Sequence, residues 1–308
     1  MNAVDKLIQL AGVRGNLDLR CQFQGDWALE HEQESAGVAS YHLVLTGTCR
    51  AALPDGQTVT LQAGDILLFP AGQPHTLRSA SGVSEPSVAR VTQGGLLPVH
   101  RIGHEGAALD MLCGRFLYQR DSMLLGALPD CLKVSSHYPQ ATDQLSALVG
   151  LLRAEADGNQ VGARFLVDAL SSALFALVVR AYLQQAAPTV GTLALLSDKR
   201  LGRAWQAMLE DPAEDWTVER LAQLANMARA TFMRSFQKVA GESPWVLLTR
   251  VRMELACRLL HETRLSLTDI ASQVGYQSQA AFGKKFKELY GVAPGQLRKS
   301  GLNPVHTA

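Results

Sequence analysis

No stretch of this 308-residue chain reads as a membrane span. The longest strongly apolar run, residues 166–179, is broken by Asp168, Ser171 and Ser172, whereas a span needs about 20 apolar residues. The opening segment, residues 1–16, carries Asp5 and has no apolar centre, so it does not read as a secretory signal. The five cysteines are odd in number and irregularly spaced, which excludes a disulfide framework and a cysteine-built zinc finger. A solenoid-type repeat is also missing. A large charge excess of one sign is missing too, since the net charge is +1. With 47% hydrophobic and 19% charged residues the chain can bury ordinary cores and is not disordered. The expectation is a soluble, cytoplasmic protein of about two domains.

The near-zero net charge hides an asymmetry. Residues 198–308 hold 16 Lys and Arg against 11 Asp and Glu, while residues 1–197 hold 13 against 17. From Thr217 onward the count is 13 against 6. A basic C-terminal third on an acidic body points to an anionic partner for the tail.

Residues 1–12 place Val4, Leu7, Ile8 and Leu10 at helical spacing. Short runs with turn signals follow. Residues 41–46 read as a strand, and residues 50–53 and 58–61 flank Pro54-Asp55-Gly56 as a hairpin. Residues 66–69 read as a buried strand stopped at Pro70. Closely spaced short strands predict a small barrel or sandwich. Residues 80–108 are rich in Ser and Gly and read as a long loop. Residues 142–156 and 161–185 then read as helices, the second apolar nearly all round and so expected in a core or an interface. Residues around Pro188 read as a linker.

The last third is more specific. Residues 198–209 form one helix. Thr217 can cap a helix over 218–225, Asn226-Met227 turns the chain, and residues 229–239 carry Phe232 and Phe236 at i and i+4. Ser243-Pro244 opens a long helix to about His261. The pattern then recurs: Ser266 to Asp269 resembles a capping box, residues 274–277 turn, and residues 279–290 carry Phe282 and Phe286. These are two helix-turn-helix units on one connecting helix. An all-helical core module is the plainer reading. Against it stand the polar residues of the two third-position helices, Arg229, Thr231, Arg234, Lys238, Gln279, Lys284, Lys285 and Lys287, which suit phosphates and base edges.

Ile270-Ala-x-x-Val-Gly-Tyr276-x-Ser278-x-x-x-Phe282-x-x-x-Phe286-Lys287-x-x-x-Gly291-x-x-Pro294 resembles the signature of the AraC/XylS family of bacterial transcription regulators. Leu221-Ala-x-x-Ala225-x-Met227 and Phe232-x-Arg234-x-Phe236 are similar to its first helix-turn-helix. The resemblance implies two recognition helices reaching successive major grooves of double-stranded DNA. By position the DNA-facing residues are Arg229, Ala230, Thr231, Met233, Arg234 and Lys238 in the first, and Ser278, Gln279, Ala280, Lys284 and Lys287 in the second. Ala228 replaces a frequent capping Ser. Ala230 and Met233 are poor hydrogen bonders, which leaves base reading by the first helix to Arg234, water or DNA shape. The resemblance also implies RNA polymerase as a partner, a homodimer and no catalysis.

Gly64-x5-Pro70-x-Gly72-x2-His75 resembles the second motif of the cupin barrel, whose His binds metal in cupin enzymes. The first cupin motif is incomplete, with only His31 and His42 available. Those three imidazoles could hold zinc or iron, or they are polar groups in an emptied sensory barrel. The order Cys21, Trp27, His31, His42, Gly64, Pro70, His75, Cys113-Gly114 resembles the sensor half of a reactive-chlorine-responsive regulator of the same family. That resemblance implies that Cys21 is oxidised and then condenses with Cys113. Arg20 and Arg115 could make the thiols more acidic, although neighbours in a strand point to opposite faces. Cys49, Cys131 and Cys257 read as packing residues.

The sequence therefore predicts an α+β protein with three parts. These are a cupin-like sensory and dimerisation domain with a helical segment over 1–185, a linker over 186–197, and an all-α double helix-turn-helix domain over 198–300. The leading expectation is a DNA-binding activator that senses oxidant through Cys21 and Cys113. A barrel that binds a small organic effector near Trp27 and Tyr41, or a metal, stays open beside it. A metal-dependent cupin enzyme is the remaining alternative.

Overall fold

Alternation of buried and exposed positions gives the first half its strands, and 3.6-residue periodicity gives the second half its helices. The computed structural model describes residues 2–81, 88–103, 108–136, 142–158, 160–186 and 188–299. In chain order it contains α1 (Ala3–Ala11), then β1 (Arg14–Phe23), β2 (Ala28–His31), β3 (Val38–Thr46), β4 (Thr48–Ala52) and β5 (Thr58–Gln62). Next come β6 (Asp65–Phe69), β7 (His75–Ser79), β8 (Arg90–Gly94), β9 (Leu97–Ile102) and β10 (Leu109–Leu117). After α2 (Met123–Gly126) and β11 (Leu132–Ser135) the chain is helical: α3 (Thr142–Asp157), α4 (Ala163–Ala186), α5 (Ala194–Ser197) and α6 (Leu201–Glu210). It ends with α7 (Val218–Leu224), α8 (Arg229–Ala240), α9 (Pro244–Glu262), α10 (Leu267–Gln273), α11 (Gln279–Tyr290) and α12 (Pro294–Lys299).

The chain divides into two units. One comprises Val13–Tyr118 and Leu128–Ala186; the other comprises Met1–Gly12, Gln119–Ala127 and Ala187–Ala308. This differs from the expected boundaries in two places. Helix α1 was grouped with the barrel, yet it buries Ala3, Leu7, Leu10 and Ala11 among the C-terminal helices, and the Gln119 amide donates to the Ala11 carbonyl at 2.8 Å. The presumed linker is folded as well: Leu193, Ala194 and Leu195 are buried, and Gly191 N–H donates to the Val239 carbonyl at 2.8 Å.

The barrel unit has a seven-stranded sheet, in the order β11-β6-β3-β10-β1-β9-β8, and a four-stranded sheet, β2-β7-β4-β5. Neighbours are antiparallel except β1 and β9. The expected loop over 80–108 is a correction. It contains the hairpin β8–β9, with β9 adding to the edge of β1. Its Ser and Gly content masked the alternation of Leu97 and Val99, which are buried. The interior holds Cys21, Phe23, Trp27, Val44, Cys49, Leu67, Phe69, Leu77, Met111 and Cys113.

Helix α4 covers the outer face of the larger sheet. Phe175 meets Phe116 edge-on at 5.2 Å, and Phe116 stacks on Tyr41 at 4.5 Å. The Tyr41 hydroxyl lies 3.4 Å from Ser171 Oγ and donates to the Asn16 carbonyl at 3.2 Å. Tyr41 therefore belongs to the sheet–helix layer and not to the barrel lumen, contrary to its expected place beside a ligand. Gly114 makes room for that ring: a Cβ there would come within 2.6 Å of it. Helix α4 is long and apolar enough, by length and composition, to cross a membrane, as the core helix of a folded domain can also be. In this unit Val167, Ser171, Leu174, Phe175 and Val178 are buried.

The helical unit repeats one plan twice. Thr217 caps α7 and Ser278 caps α11; Ser266 and Asp269 form a full capping box on α10. Asn226 (φ 53°) and Gly275 (φ 80°) supply the left-handed residue in the two turns. Arg252 of α9 donates to the carbonyls of Pro212 (2.7 Å) and Glu214 (3.0 Å), and its guanidinium lies over Tyr276 at 5.9 Å. A substituent on Gly275 would strike that guanidinium at 2.8 Å. Phe232 and Phe236 are fully buried, as are Phe282 and Phe286, so the aromatic pairs form the cores beneath two exposed helix faces.

Candidate functional site

Two groups of residues carry chemistry. The first is the pair of exposed faces on α8 and α11. Arg229, Ala230, Thr231, Arg234 and Lys238 are exposed, and Met233 is half-buried. Ser278, Gln279, Ala280, Lys284 and Lys287 are all exposed. Their neighbours modulate them. Arg229 pairs with Glu219 at 2.7 Å, Arg234 Nε donates to the Ala230 carbonyl at 3.3 Å, and Thr268 Oγ1 donates to Gln279 Oε1 at 2.9 Å. Ala228 makes no capping hydrogen bond, so the first turn of α8 keeps free amides at its positive end, a phosphate-binding feature.

The second group lies inside the barrel, where strand register assembles it. Cys113 on β10 stands opposite His42 on β3, and His31 on β2 stands opposite His75 on β7. Cys21 on β1 is a diagonal neighbour of Cys113, since Leu19 pairs with Cys113 and Cys21 with Met111. The two Sγ atoms are 3.8 Å apart. His42 Nδ1 is 3.2 Å from Cys113 Sγ, and His42 Nε2 is 2.8 Å from His75 Nε2. His75 Nδ1 is 2.8 Å from the Gln73 carbonyl.

Proton bookkeeping along this chain has one solution for neutral rings. A carbonyl only accepts, so His75 donates through Nδ1 and presents a bare Nε2. His42 must then donate from Nε2 to His75 and accept at Nδ1. The Cys113 S–H supplies that proton. Burial, followed by repulsion from the neighbouring imidazoles, holds His42 well below the usual range, and burial lowers His75 to about 4. Burial also lowers His31. All three rings are therefore neutral near pH 7. The hydrogen bond to Cys21, then burial, pushes the Cys113 thiol well above its ordinary value.

That corrects the expected influence of the arginines. Arg20 is bound to Asp110, with Nε donating to Oδ1 at 2.7 Å, and to Asp157. Arg115 donates to Asp18 at 2.8 Å. Arg20 alternates with Cys21 along β1 and so faces away from it, whereas Arg115 lies two residues from Cys113 on β10; in both cases the guanidinium charge is spent on carboxylates. Burial pushes Cys49 and Cys257 up to about 12 and Cys131 to about 11, in keeping with packing roles. Of the two histidines in the presumed loop, His100 sits on β9 and His104 lies outside the described residues.

One residue escaped the sequence reading. Glu254 on α9 is 2% exposed, accepts the Met123 amide at Oε1 (2.6 Å), and leaves Oε2 without a hydrogen-bond partner. Burial raises it from 4.5 to about 8. Its spacing of three and seven residues from Val251 and Leu247 was the available signal, because it falls on their buried stripe.

Residues 2–184 match a family model described as Cupin, and residues 221–300 match one described as Helix-turn-helix domain. An HTH-type transcriptional regulator of Haemophilus influenzae is 39% identical over 300 residues, covering 97% of this chain and 99% of that protein. The HTH-type transcriptional regulator MtrA of Neisseria gonorrhoeae is 33% identical over 306 residues, covering 98% and 99%. The RCS-specific HTH-type transcriptional activator RclR of Escherichia coli is 29% identical over 302 residues, covering 97% and 98%.

Proposed function

The chain belongs to the AraC-type helix-turn-helix transcription regulators with an N-terminal cupin domain, and from that membership we propose that its barrel senses oxidant through Cys21 and Cys113. DNA binding by the C-terminal unit follows from the family. The observation that carries the sensor reading is the 3.8 Å separation of two buried sulfurs, against about 2.05 Å in a disulfide. A hypochlorite-type oxidant converts the Cys21 thiol to a sulfenyl chloride and releases water. The Cys113 sulfur then attacks the Cys21 sulfur, chloride leaves with the S–Cl electron pair, and the Cys113 proton passes to His42 Nδ1. The products are one disulfide and HCl. Because the resting Cys113 is a neutral, buried thiol, the pair is quiet toward weak electrophiles.

On this reading the disulfide changes barrel packing and biases one of two DNA-bound arrangements. Leu151 and Phe165, which are exposed, and Leu166 beside them support a homodimer through α3 and α4. The naming of the E. coli relative as an RCS-specific activator supports activation, and with it RNA polymerase as partner. A barrel that binds a small organic effector keeps less support, because Trp27 is packed against Phe23 (4.8 Å) and Tyr41 faces α4.

The deciding experiment is non-reducing peptide mass spectrometry before and after one equivalent of hypochlorite. A reductant-sensitive Cys21–Cys113 peptide is expected. Cys21→Ser should remove the oxidant response while leaving basal DNA affinity within about 1 kcal/mol. Reduced cysteines beside oxidised surface methionines would overturn the reading.

The DNA-facing assignment has its own measurement. Arg234→Ala and Gln279→Ala should each cost about 1–3 kcal/mol on a cognate site and less on random DNA. Lys287→Ala should weaken both equally and flatten the salt dependence. Equal losses on both DNAs would remove Arg234 and Gln279 from base reading.

A further inference from the structure

The geometry points to a binding site for a small organic cation with an N–H donor head, a primary ammonium or a guanidinium, in a cleft of the helical unit floored by Glu254. The cleft has a volume of about 570 Å³, within the range of small-molecule sites. All of its lining residues belong to the helical unit. They come from the 119–127 segment, from Gly191 and Thr192, from the end of α8 with Glu242 behind it, from α9 and from the end of α11. Helix α9 is the one that joins the two helix-turn-helix units.

Two buried polar atoms with nothing to bond belong to residues lining this cleft. Glu254 is 2% exposed, and with Oε1 taken by the Met123 amide its Oε2 has no hydrogen-bond partner. Ser122 is also buried, and its Oγ has no partner either. A buried polar atom left this way is costly. An ionised carboxylate only accepts, so the complementary group is a donor. The charges select its sign. Arg250, the one cation among the described lining residues, pairs with Glu242 at 3.0 Å. Among the described residues neither Asp121 nor Glu254 forms an ion pair. The lining thus holds two carboxyl groups with no cation paired to them. Met123, Met253, Leu289 and the Tyr290 ring offer apolar surface to the body of the ligand, and an aromatic face attracts a cation as well. One water would satisfy Oε2 but occupies only about 30 Å³ of that space.

Occupancy is linked to the proton on Glu254. Burial raises this carboxyl to about 8, with Asp121 adding and the Met123 amide and Arg250 opposing. Its other titratable neighbours are Cys257 and Tyr290, with Glu242 on the cleft wall. The acid therefore carries a proton at pH 7. An alkylammonium stays charged up to about pH 10 and displaces that proton: the carboxyl O–H bond breaks, the proton passes to buffer, and the carboxylate accepts from the ligand N–H. Apparent affinity should rise nearly tenfold per pH unit up to about 8 and level off above it. A neutral acceptor held by the protonated carboxyl would show the reverse slope.

The test is isothermal titration calorimetry of the full-length chain with 4-phenylbutylamine, at pH 6 and pH 8.5, and at pH 7 in two buffers of different ionisation enthalpy. One equivalent is expected to bind, roughly 30–100-fold tighter at pH 8.5 than at pH 6, with about one proton released at pH 7. 4-Phenylbutanol, which lacks the charge, and the trimethylammonium derivative, which lacks the N–H, should each bind at least about tenfold more weakly. Glu254→Gln should weaken the amine at least about tenfold at pH 8.5 and abolish both the pH slope and the proton release, with an unchanged circular dichroism spectrum. Ser122→Ala should weaken it severalfold and keep the slope. No saturable binding of the amine, equal affinity for the alcohol, a flat pH dependence, or parent-like binding by Glu254→Gln would each overturn the site. Unchanged affinity in Ser122→Ala would overturn the part given to Ser122.

Discussion

Glu254→Gln should make the helical unit more stable at pH 8.5 by roughly 3–5 kcal/mol and change it little at pH 4.5. The parent carboxyl is raised from 4.5 to about 8, mainly by burial, with Asp121 adding and the Met123 amide and Arg250 opposing. Between those two values the folded state binds more protons than the unfolded state. Stability therefore falls as pH rises, by about 1.36 kcal/mol per unit for a full proton. The contribution is complete below 4.5 and is lost as pH climbs through about 8. Glutamine keeps the shape and can still accept the Met123 amide, but it has no charge to bury. Denaturation followed by the fluorescence of Trp205, Trp216 and Trp245 in a Trp27→Phe background measures the effect. Parallel pH profiles for parent and variant would show that Glu254 ionises freely. The carboxyl lines a cleft with Asp121, Met123, Arg250 and Tyr290, so the same titration loosens the connecting helix α9 where the 119–127 segment grips it.

Gly15→Ala should destabilise the barrel unit by about 3 kcal/mol or more. A Cβ on Gly15 would lie 2.3 Å from the Ser171 carbonyl carbon, 2.5 Å from Ser172 N and 2.6 Å from the Ser171 oxygen. These are backbone atoms of α4 and cannot rotate aside, so the helix must lift from β1. Lifting also breaks the bond from the Gly15 amide to Ser172 Oγ (2.9 Å) and opens the layer of Phe116 and Phe175. Overpacking of a core costs about 1–3 kcal/mol when side chains can yield; here the obstacle is main chain. Gly150→Ala is the control, in helix α3 of the same unit, where nothing lies within 4 Å of the new methyl; it should stabilise by about 0.5–1 kcal/mol. Comparable thermal unfolding midpoints for the two variants would mean that α4 is not held tightly on the sheet.

The helical unit was largely legible in the residues. Helix α10 spans Leu267–Gln273 and α11 spans Gln279–Tyr290, as spacing alone predicts. Caps, turns and i,i+4 aromatic pairs act within a few residues, so their pattern survives in the linear chain. The same holds for the hairpin around Gly56 and for the exposed polar faces of α8 and α11. What the linear pattern left open depends on partners distant in sequence. The β8–β9 hairpin forms because β1 offers a free edge, which no local signal in residues 80–108 announces. Tyr41 and His42 are adjacent, yet one packs on α4 and the other faces Cys113, 71 residues away; only the register of β3 against β10 makes that choice. Arg20 is next to Cys21 and Arg115 two residues from Cys113 in the chain, but they spend their charge on Asp110, Asp157 and Asp18. Composition, caps and periodicity thus determined that this chain has a strand-rich half and a paired helix-turn-helix half. Pairing register and burial, which couple residues that the chain keeps far apart, decided that two thiols and three imidazoles share one interior.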